Sequence, residues 1–368
     1  MFTRIEVGKH LSPVIFAPLV PTDRPESFRH PRLLTICMSP DSTETLLFES
    51  SPFGTIDAIV EHDGRVVYFY LNEHPDEQGK TPGKFGTRAC WVRNLQRGPL
   101  VLDKSDQSSG LAPLMPRNDC LDSDPQPLPA GESLEIVWFE EGNGAALVQT
   151  ADSIRQTIAV IPPWSGIDGF HGYALGCAHE TPLAWPMPVN EALQLRIDRA
   201  AEFWSSFTVK DSPFTRLQPQ LVSRWDQRFG KENQKRYYAI DGGQFPPRGL
   251  VHYETKSETV LLTVGMSLCP QPAVEMAVDS PSELRRIELG TRIPHTVDGP
   301  DADFVQATIG SMSSWAGYPW RNHSWLGNGH TIDWSVANSK AILVNDTEPE
   351  AIQFRNDPVR LFWIELQR

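Results

Sequence analysis

The sequence predicts an α+β protein of two lobes, each built from mixed and antiparallel sheets with flanking helices. Three observations lead there. Short runs of β-branched and aromatic residues recur along the chain, separated by turn formers: 32 prolines and 26 glycines among 368 residues are natural for strands joined by many turns and high for a helical protein. Helical spacing is confined to a few stretches, and strands followed by helices rather than strict alternation argue for α+β. The strand signals also fall on both sides of a charged helical region. The chain therefore divides into an N-terminal α+β lobe over residues 1–188, a helical connector over 189–235 and a C-terminal α+β lobe over 236–368, and its length allows a substantial core in each lobe.

Taken in order, residues 33–36 and 45–48 form short apolar runs with strand character. Residues 55–61 and 65–71 flank His62-Asp63-Gly64, and Asp-Gly between two apolar runs predicts a hairpin. Residues 85–94 form a third strand. The next forty residues, rich in Pro, Asp, Ser and Gly, form a surface excursion. A second hairpin spans 135–148 around Gly142-Asn143-Gly144, and a strand at 157–161 ends at Pro162-Pro163. Residues 164–185 are irregular and aromatic. The 3.6-residue spacing of Leu193, Ile197, Ala200, Ala201 and Trp204 predicts a helix over 191–207 with Asn190 as its N-cap. A shorter helix follows at 218–228, and the polar turn 231–235 marks the boundary. Arg236-Tyr237-Tyr238-Ala239-Ile240-Asp241-Gly242-Gly243-Gln244-Phe245-Pro246-Pro247-Arg248 reads as a strand that stops at a carboxylate and two glycines, then leaves through a rigid turn. Strands at 250–253, 259–264 and 285–289, a helix at 301–315 and strands at 341–344 and 359–366 complete the chain.

Composition excludes several function classes. A formal charge of −13 argues against nucleic-acid binding, which relies on clustered Lys and Arg, and suits a basic or neutral protein partner. The N-terminus lacks the apolar core of a signal peptide, and no apolar run is long enough to span a bilayer. Cys37, Cys90, Cys120, Cys177 and Cys269 are odd in number and widely spaced, which fits a reducing compartment. A cytoplasmic location is the expectation, with neither membrane nor nucleic acid as partner.

Tyr237 to Gly243, Leu262-Thr263-Val264-Gly265-Met266-Ser267, Glu283-Leu284-Arg285-Arg286-Ile287-Glu288-Leu289-Gly290, a Trp-bearing helix and Trp325-Leu326-Gly327-Asn328-Gly329-His330-Thr331 together resemble the suppressor-of-fused (SUFU) domain family, in particular its bacterial members. The resemblance runs from about Tyr237 to the C-terminus. Trp138-Phe139-Glu140-Glu141-Gly142 and Ile161-Pro162-Pro163-Trp164-Ser165-Gly166 are similar to longer bacterial relatives. None of these is a catalytic signature. The resemblance implies a non-enzymatic protein-binding module, because eukaryotic members hold a transcription factor in a cleft between two lobes. Bacterial members are associated with immunity, binding and neutralising toxin domains. For this chain it implies a partner held between the lobes, such as a basic toxin domain or peptide.

The partner-binding surface expected from these readings uses Trp164, Asp168 and His171 on one side and Asp241, Gln244, Phe245 and Arg248 on the other, rigid Pro-flanked loops with aromatic and charged side chains. Other chemistries are weaker. Ser165, Asp168 and His171 lack the nucleophile elbow of a hydrolase. His171, Cys177 and His179 lack zinc-ligand spacing, so no metal or other cofactor is expected. The alternative reading is a hydrolase acting on carbohydrate or another small ligand, using Glu140 or Glu141 with Asp241. Adjacent residues on a strand point to opposite faces, so Glu140 and Glu141 cannot act as a pair unless the turn reorients one.

Overall fold

The computed structural model describes residues 43–75, 83, 85–103, 105–106, 109–188, 191–207, 212–336, 339–348 and 352–367. The strand expected at 33–36, Cys37 and the N-cap expected at Asn190 lie outside them. The fold is α+β.

The N-terminal half is a sandwich of two sheets. A four-stranded antiparallel meander, β1 (Glu44–Ser50), β2 (Ile56–His62), β3 (Val66–Glu73) and β4 (Thr87–Asn94), forms one layer. The Asp63-Gly64 turn joins β2 to β3 as its chemistry requires: the Asp63 carboxylate accepts from the amides of Arg65 and Val66 at 2.9 and 3.1 Å. The second layer runs β5 (Leu134–Trp138), β6 (Ala145–Ala151), β7 (Ile154–Ile161), β8 (Tyr173–Ala174) and β9 (Trp185–Pro186). Because side chains alternate across a strand, Ile136 and Trp138 enter the sandwich core with Val60, Phe69 and Cys90, whereas Val137 and Phe139 face outward. Helix α1 (Glu191–Ser206) covers that outer face through Ile197 and Ala200.

The C-terminal half is a single twisted sheet with strand order β10-β11-β12-β13-β17-β15-β14. Its strands are β10 (Gln234–Ala239), β11 (Gly249–Glu254), β12 (Glu258–Val264), β13 (Arg286–Pro294), β14 (Thr331–Trp334), β15 (Ser339–Asn345) and β17 (Asp357–Leu366), with the short β16 (Gln353–Phe354) paired to β17. Every neighbouring pair is antiparallel except β13 and β17. Strand β12 is buried on both faces from Thr259 to Val264, and α2 (Pro213–Phe229) and α4 (Ala302–Arg321) both pack on it; the short α3 (Val274–Ala277) falls between them in the chain.

Several elements differ from the sequence reading. Helix α2 starts at Pro213 rather than 218: Pro213 occupies the first helical turn, where a missing N–H costs nothing, and Ser212 caps it by accepting from the Thr215 amide. Helix α4 continues past 315 to Arg321 through Gly317 and Pro319, residues of low helix propensity; burial of Ala316, Gly317, Pro319 and Trp320 holds this last stretch. Strand β13 reaches Pro294, and β14, only four residues long, was not expected.

The Leu262–Ser267 motif has a local physical purpose. Glu288 of β13 is fully buried, and its carboxylate accepts from the Gly265 and Ser267 amides at 2.9 and 3.0 Å, from Ser267 Oγ at 2.6 Å and from Thr263 Oγ1 at 2.5 Å. Gly265 has φ +109°, and a Cβ there would lie 2.6 Å from the Pro247 carbonyl oxygen. Glycine is therefore required twice over, for the angle and for the approach of the 241–248 loop.

Candidate functional site: the seam between the halves

After β10 the chain turns at Asp241. One carboxylate oxygen accepts from the Gly243 amide at 2.8 Å and the other from the Arg248 amide at 3.0 Å, while the Gln244 amide donates to the Asp241 carbonyl at 3.2 Å. Gly242 and Gly243 take left-handed φ values of +64° and +81°. The turn leaves Gln244 exposed and sends Phe245 inward. It is tied to α4 by two bonds to backbone carbonyls: Ser313 Oγ donates to Ile240 at 2.9 Å, and Arg248 Nη1 donates to Ala316 at 3.2 Å. Burial lowers the Arg248 pKa.

Phe245 joins an aromatic cluster that links the two halves. Its ring lies 5.2 Å from Phe53, in the β1–β2 connection, and 5.4 Å from both Trp204 at the end of α1 and Phe207 just beyond it. Phe53 also stacks on Trp320 of α4, with rings at 2° and centroids 6.1 Å apart. The indoles are fixed by backbone acceptors: Trp204 Nε1 donates to Trp138 O at 2.7 Å and Trp320 Nε1 to Pro270 O at 3.0 Å. Such edge and stacked pairs each contribute roughly 0.5–1.5 kcal/mol beyond the area they bury.

The β5–β6 turn, Glu140-Glu141-Gly142-Asn143, meets this cluster and carries the polar half of the seam. Glu140 accepts from Arg286 at 2.6 Å and from Arg355 at 2.9 Å. Arg286 is itself fully buried and completes its donors on Asp357 at 3.1 Å and on the carbonyls of Ser267 and Leu268 at 3.1 and 2.6 Å. Glu141 pairs with Arg196 of α1, whose other arm reaches Glu275 at 2.7 Å; Arg285 also pairs with Glu275. Burial is the largest influence on Glu141 and raises its pKa against the pull of Arg196. Asn143, wholly buried, donates to the Pro272 carbonyl at 2.9 Å. Gly142 has φ +77°, and a Cβ there would fall 2.1 Å from the Phe53 ring.

Of the residues expected on one partner surface, the structure draws only some to the seam, and at separate places. Trp164 is half-buried under the Arg196 guanidinium, which lies 5.6 Å from its ring centre and 4.8 Å from that of Phe139. Phe245 meets α1 at Trp204, eight residues further on, roughly 12 Å along the helix. Asp168 is exposed at φ +50° in a tight loop closed by Gly166 N to Phe170 O at 2.8 Å. His171 is half-buried, its pKa lowered by burial, and its carbonyl accepts from Ser165 Oγ. Ser165 thus satisfies loop backbone.

The carboxylates of the hydrolase reading are already engaged, Glu140 between two guanidinium groups, Glu141 on Arg196 and Asp241 on its own turn. Among the described residues no cluster of three His, Cys, Asp or Glu side chains is placed to hold a metal ion, and no helix is long and apolar enough to cross a membrane. Sequence reasoning missed Phe53, Arg196, Trp204, Arg286 and Arg355 as seam residues. Gly142 was the one available signal, since a glycine between two glutamates and an asparagine in a hairpin turn implies a close approach.

The family match falls in the C-terminal half of the chain. Residues 245–365 match the family model described as Suppressor of fused protein (SUFU). No curated protein sequence matches the chain. Among solved structures, a chain described as "the Sufu-Fu complex crystal structure" aligns with 14% identity and a TM-score of 0.31, covering 41% of this chain and 75% of that one.

Proposed function

Because residues 245–365 carry a suppressor-of-fused-like domain, we propose that this chain is a non-enzymatic protein-binding module whose partner lies against the seam between its halves. The family match is the observation that carries this reading. We take residues 1–188 and 236–368 as the two lobes and 189–235 as the connector, with Trp164, Asp168, His171, Asp241, Gln244, Phe245 and Arg248 as the surface to test. The formal charge of −13 favours a basic partner, such as a toxin domain or peptide neutralised in the cytoplasm, since complementary charge speeds encounter and disfavours wrong partners. An immunity role is the finer form of this proposal.

The geometry directs the choice of variants. Phe245 is packed among three rings, so its removal would disturb the seam itself, whereas Asp168 and Gln244 are exposed and can be changed without repacking. The test is affinity capture from lysate of the source organism with wild type and an Asp168→Lys/Gln244→Lys variant, followed by calorimetry with the purified partner at two salt concentrations. Expected are one stoichiometric partner, weaker binding by the variant and weaker binding at higher salt. Equal affinity of both proteins, with folding intact, would remove Asp168 and Gln244 from the interface. Capture of no partner would count against a constitutive binding module.

A further inference from the structure

We propose that Cys120 and Cys177 form a disulfide-competent thiol pair, a reversible oxidation site that fastens the 95–133 excursion to the β8 region. The two residues oppose each other in an isolated antiparallel bridge. The flanking hydrogen bonds define which kind of pair it is: Leu121 N donates to Gly176 O at 2.8 Å and Ala178 N donates to Asp119 O at 2.8 Å. Both cross-bridge bonds are made by the neighbours and none runs between the two cysteines, so 120 and 177 are a non-hydrogen-bonded pair. In that geometry facing Cα atoms lie about 4.5 Å apart and the side chains approach more closely than at the alternate positions, within the range a disulfide spans.

Both thiols are free. Cys120 is half-buried, and its Sγ donates to Pro116 O at 3.5 Å; Cys177 is buried, and its Sγ donates to His179 O at 2.9 Å. Burial pushes each thiol up to about 11, so little thiolate exists at neutral pH and the pair resists casual oxidation. Cys90 and Cys269 are fully buried, and neither lies in this bridge.

With a small disulfide such as oxidised glutathione as oxidant, the more exposed Cys120 thiolate attacks one sulfur and expels one glutathione thiolate, giving a mixed disulfide. The Cys177 thiolate then attacks the Cys120 sulfur and expels the second. Two protein thiols become one disulfide, and one oxidised glutathione becomes two reduced ones. The closed loop joins strand β4's trailing excursion to the turn after β8, so its main effect is on the unfolded chain, which loses freedom.

The test equilibrates the full chain at pH 8.5, where thiolate is more abundant, in glutathione buffers of graded oxidised fraction. Free thiols are then alkylated and peptides mapped without reduction. The expected result is a cross-linked 120–177 peptide pair that grows with the oxidised fraction and disappears with dithiothreitol, together with a higher thermal midpoint. Cys120→Ser and Cys177→Ser each lose the cross-link and the midpoint shift, while Cys269→Ser keeps both. The proposal is overturned if both thiols remain alkylatable in oxidised glutathione alone, if each carries its own glutathione without a cross-link, or if either pairs with a different cysteine.

Discussion

Gly142 is the position where sequence, backbone and seam meet, and Gly142→Ala tests that junction. The added methyl would sit 2.1 Å from Phe53 Cδ2 at a φ of +77°. Holding alanine in the left-handed region costs roughly 1–2 kcal/mol, and forcing a ring from a packed site costs about 1–3 kcal/mol more. The single variant should therefore lose about 3 kcal/mol. Phe53→Ala, at a half-buried ring contacting Trp204, Phe245 and Trp320, should lose about 2–3 kcal/mol, below the full range for core Phe→Ala changes. In the double variant the clash vanishes because the ring is gone, and only backbone strain adds to the Phe53 loss. The double variant should then be more stable than the two single losses predict, by roughly 1–2 kcal/mol, a coupling of the size expected for residues in contact. Urea unfolding followed by tryptophan fluorescence and circular dichroism measures all four proteins. Additivity within about 0.5 kcal/mol would show that Phe53 does not rest on Gly142, and the seam as described would be wrong.

Arg286→Met should destabilise by about 3–5 kcal/mol, because Asp357 and part of Glu140 are left without their buried cation; Arg286→Lys should recover only part, since one ammonium cannot reach two carboxylates and two carbonyls together. Urea midpoints that match wild type in both would refute the role given to Arg286. Asp241→Ala removes two turn acceptors and should cost about 1–2 kcal/mol, whereas Asp241→Asn, which keeps one acceptor oxygen, should cost less; equal losses would mean that the carboxylate serves something other than the turn. His171, His252 and His330 have pKa values lowered by burial, so the unfolded chain binds their protons first. Their contribution is complete above the unfolded pKa of about 6.5 and is lost as pH falls through the lower folded values. His74 runs the other way, raised by its hydrogen bond to Asp57, and its contribution is present below about pH 6.5 and lost as pH rises through the folded value. His252, whose two ring nitrogens are buried without a hydrogen-bond partner, is the cleanest probe. His252→Phe should flatten the fall in thermal midpoint between pH 7 and 5, and an unchanged slope would remove His252 from that account.

Much of the fold was legible because it is written in local chemistry. The Asp63-Gly64 and Gly142-Asn143-Gly144 hairpins, the strand stopped at Asp241 and helix α1 all follow from turn residues and periodicity within a few positions. The limits of α2 and α4 were misjudged for one reason. Pro213, Gly317 and Pro319 lower local helix propensity, and packing against the sheet overrides propensity.

By itself, the sequence determined the α+β class, the order of most of the longer elements, the turn function of Asp241 and the resemblance of its last 130 or so residues to suppressor-of-fused domains. Only the tertiary structure decided what the charged residues do. Glu140 and Glu141, adjacent on a hairpin turn, carry a role in the sequence reading only as carboxylates of the alternative hydrolase; Arg286, Arg355 and Arg196 that hold them come from elements 55 to 215 positions away. Cys120 and Cys177 show the same limit, since 56 intervening residues give no hint of a shared bridge. The physical reason is common to both. Local propensity acts through neighbours along the chain, whereas ion pairing, burial of charge and thiol proximity depend on which turn meets which strand after the two halves close.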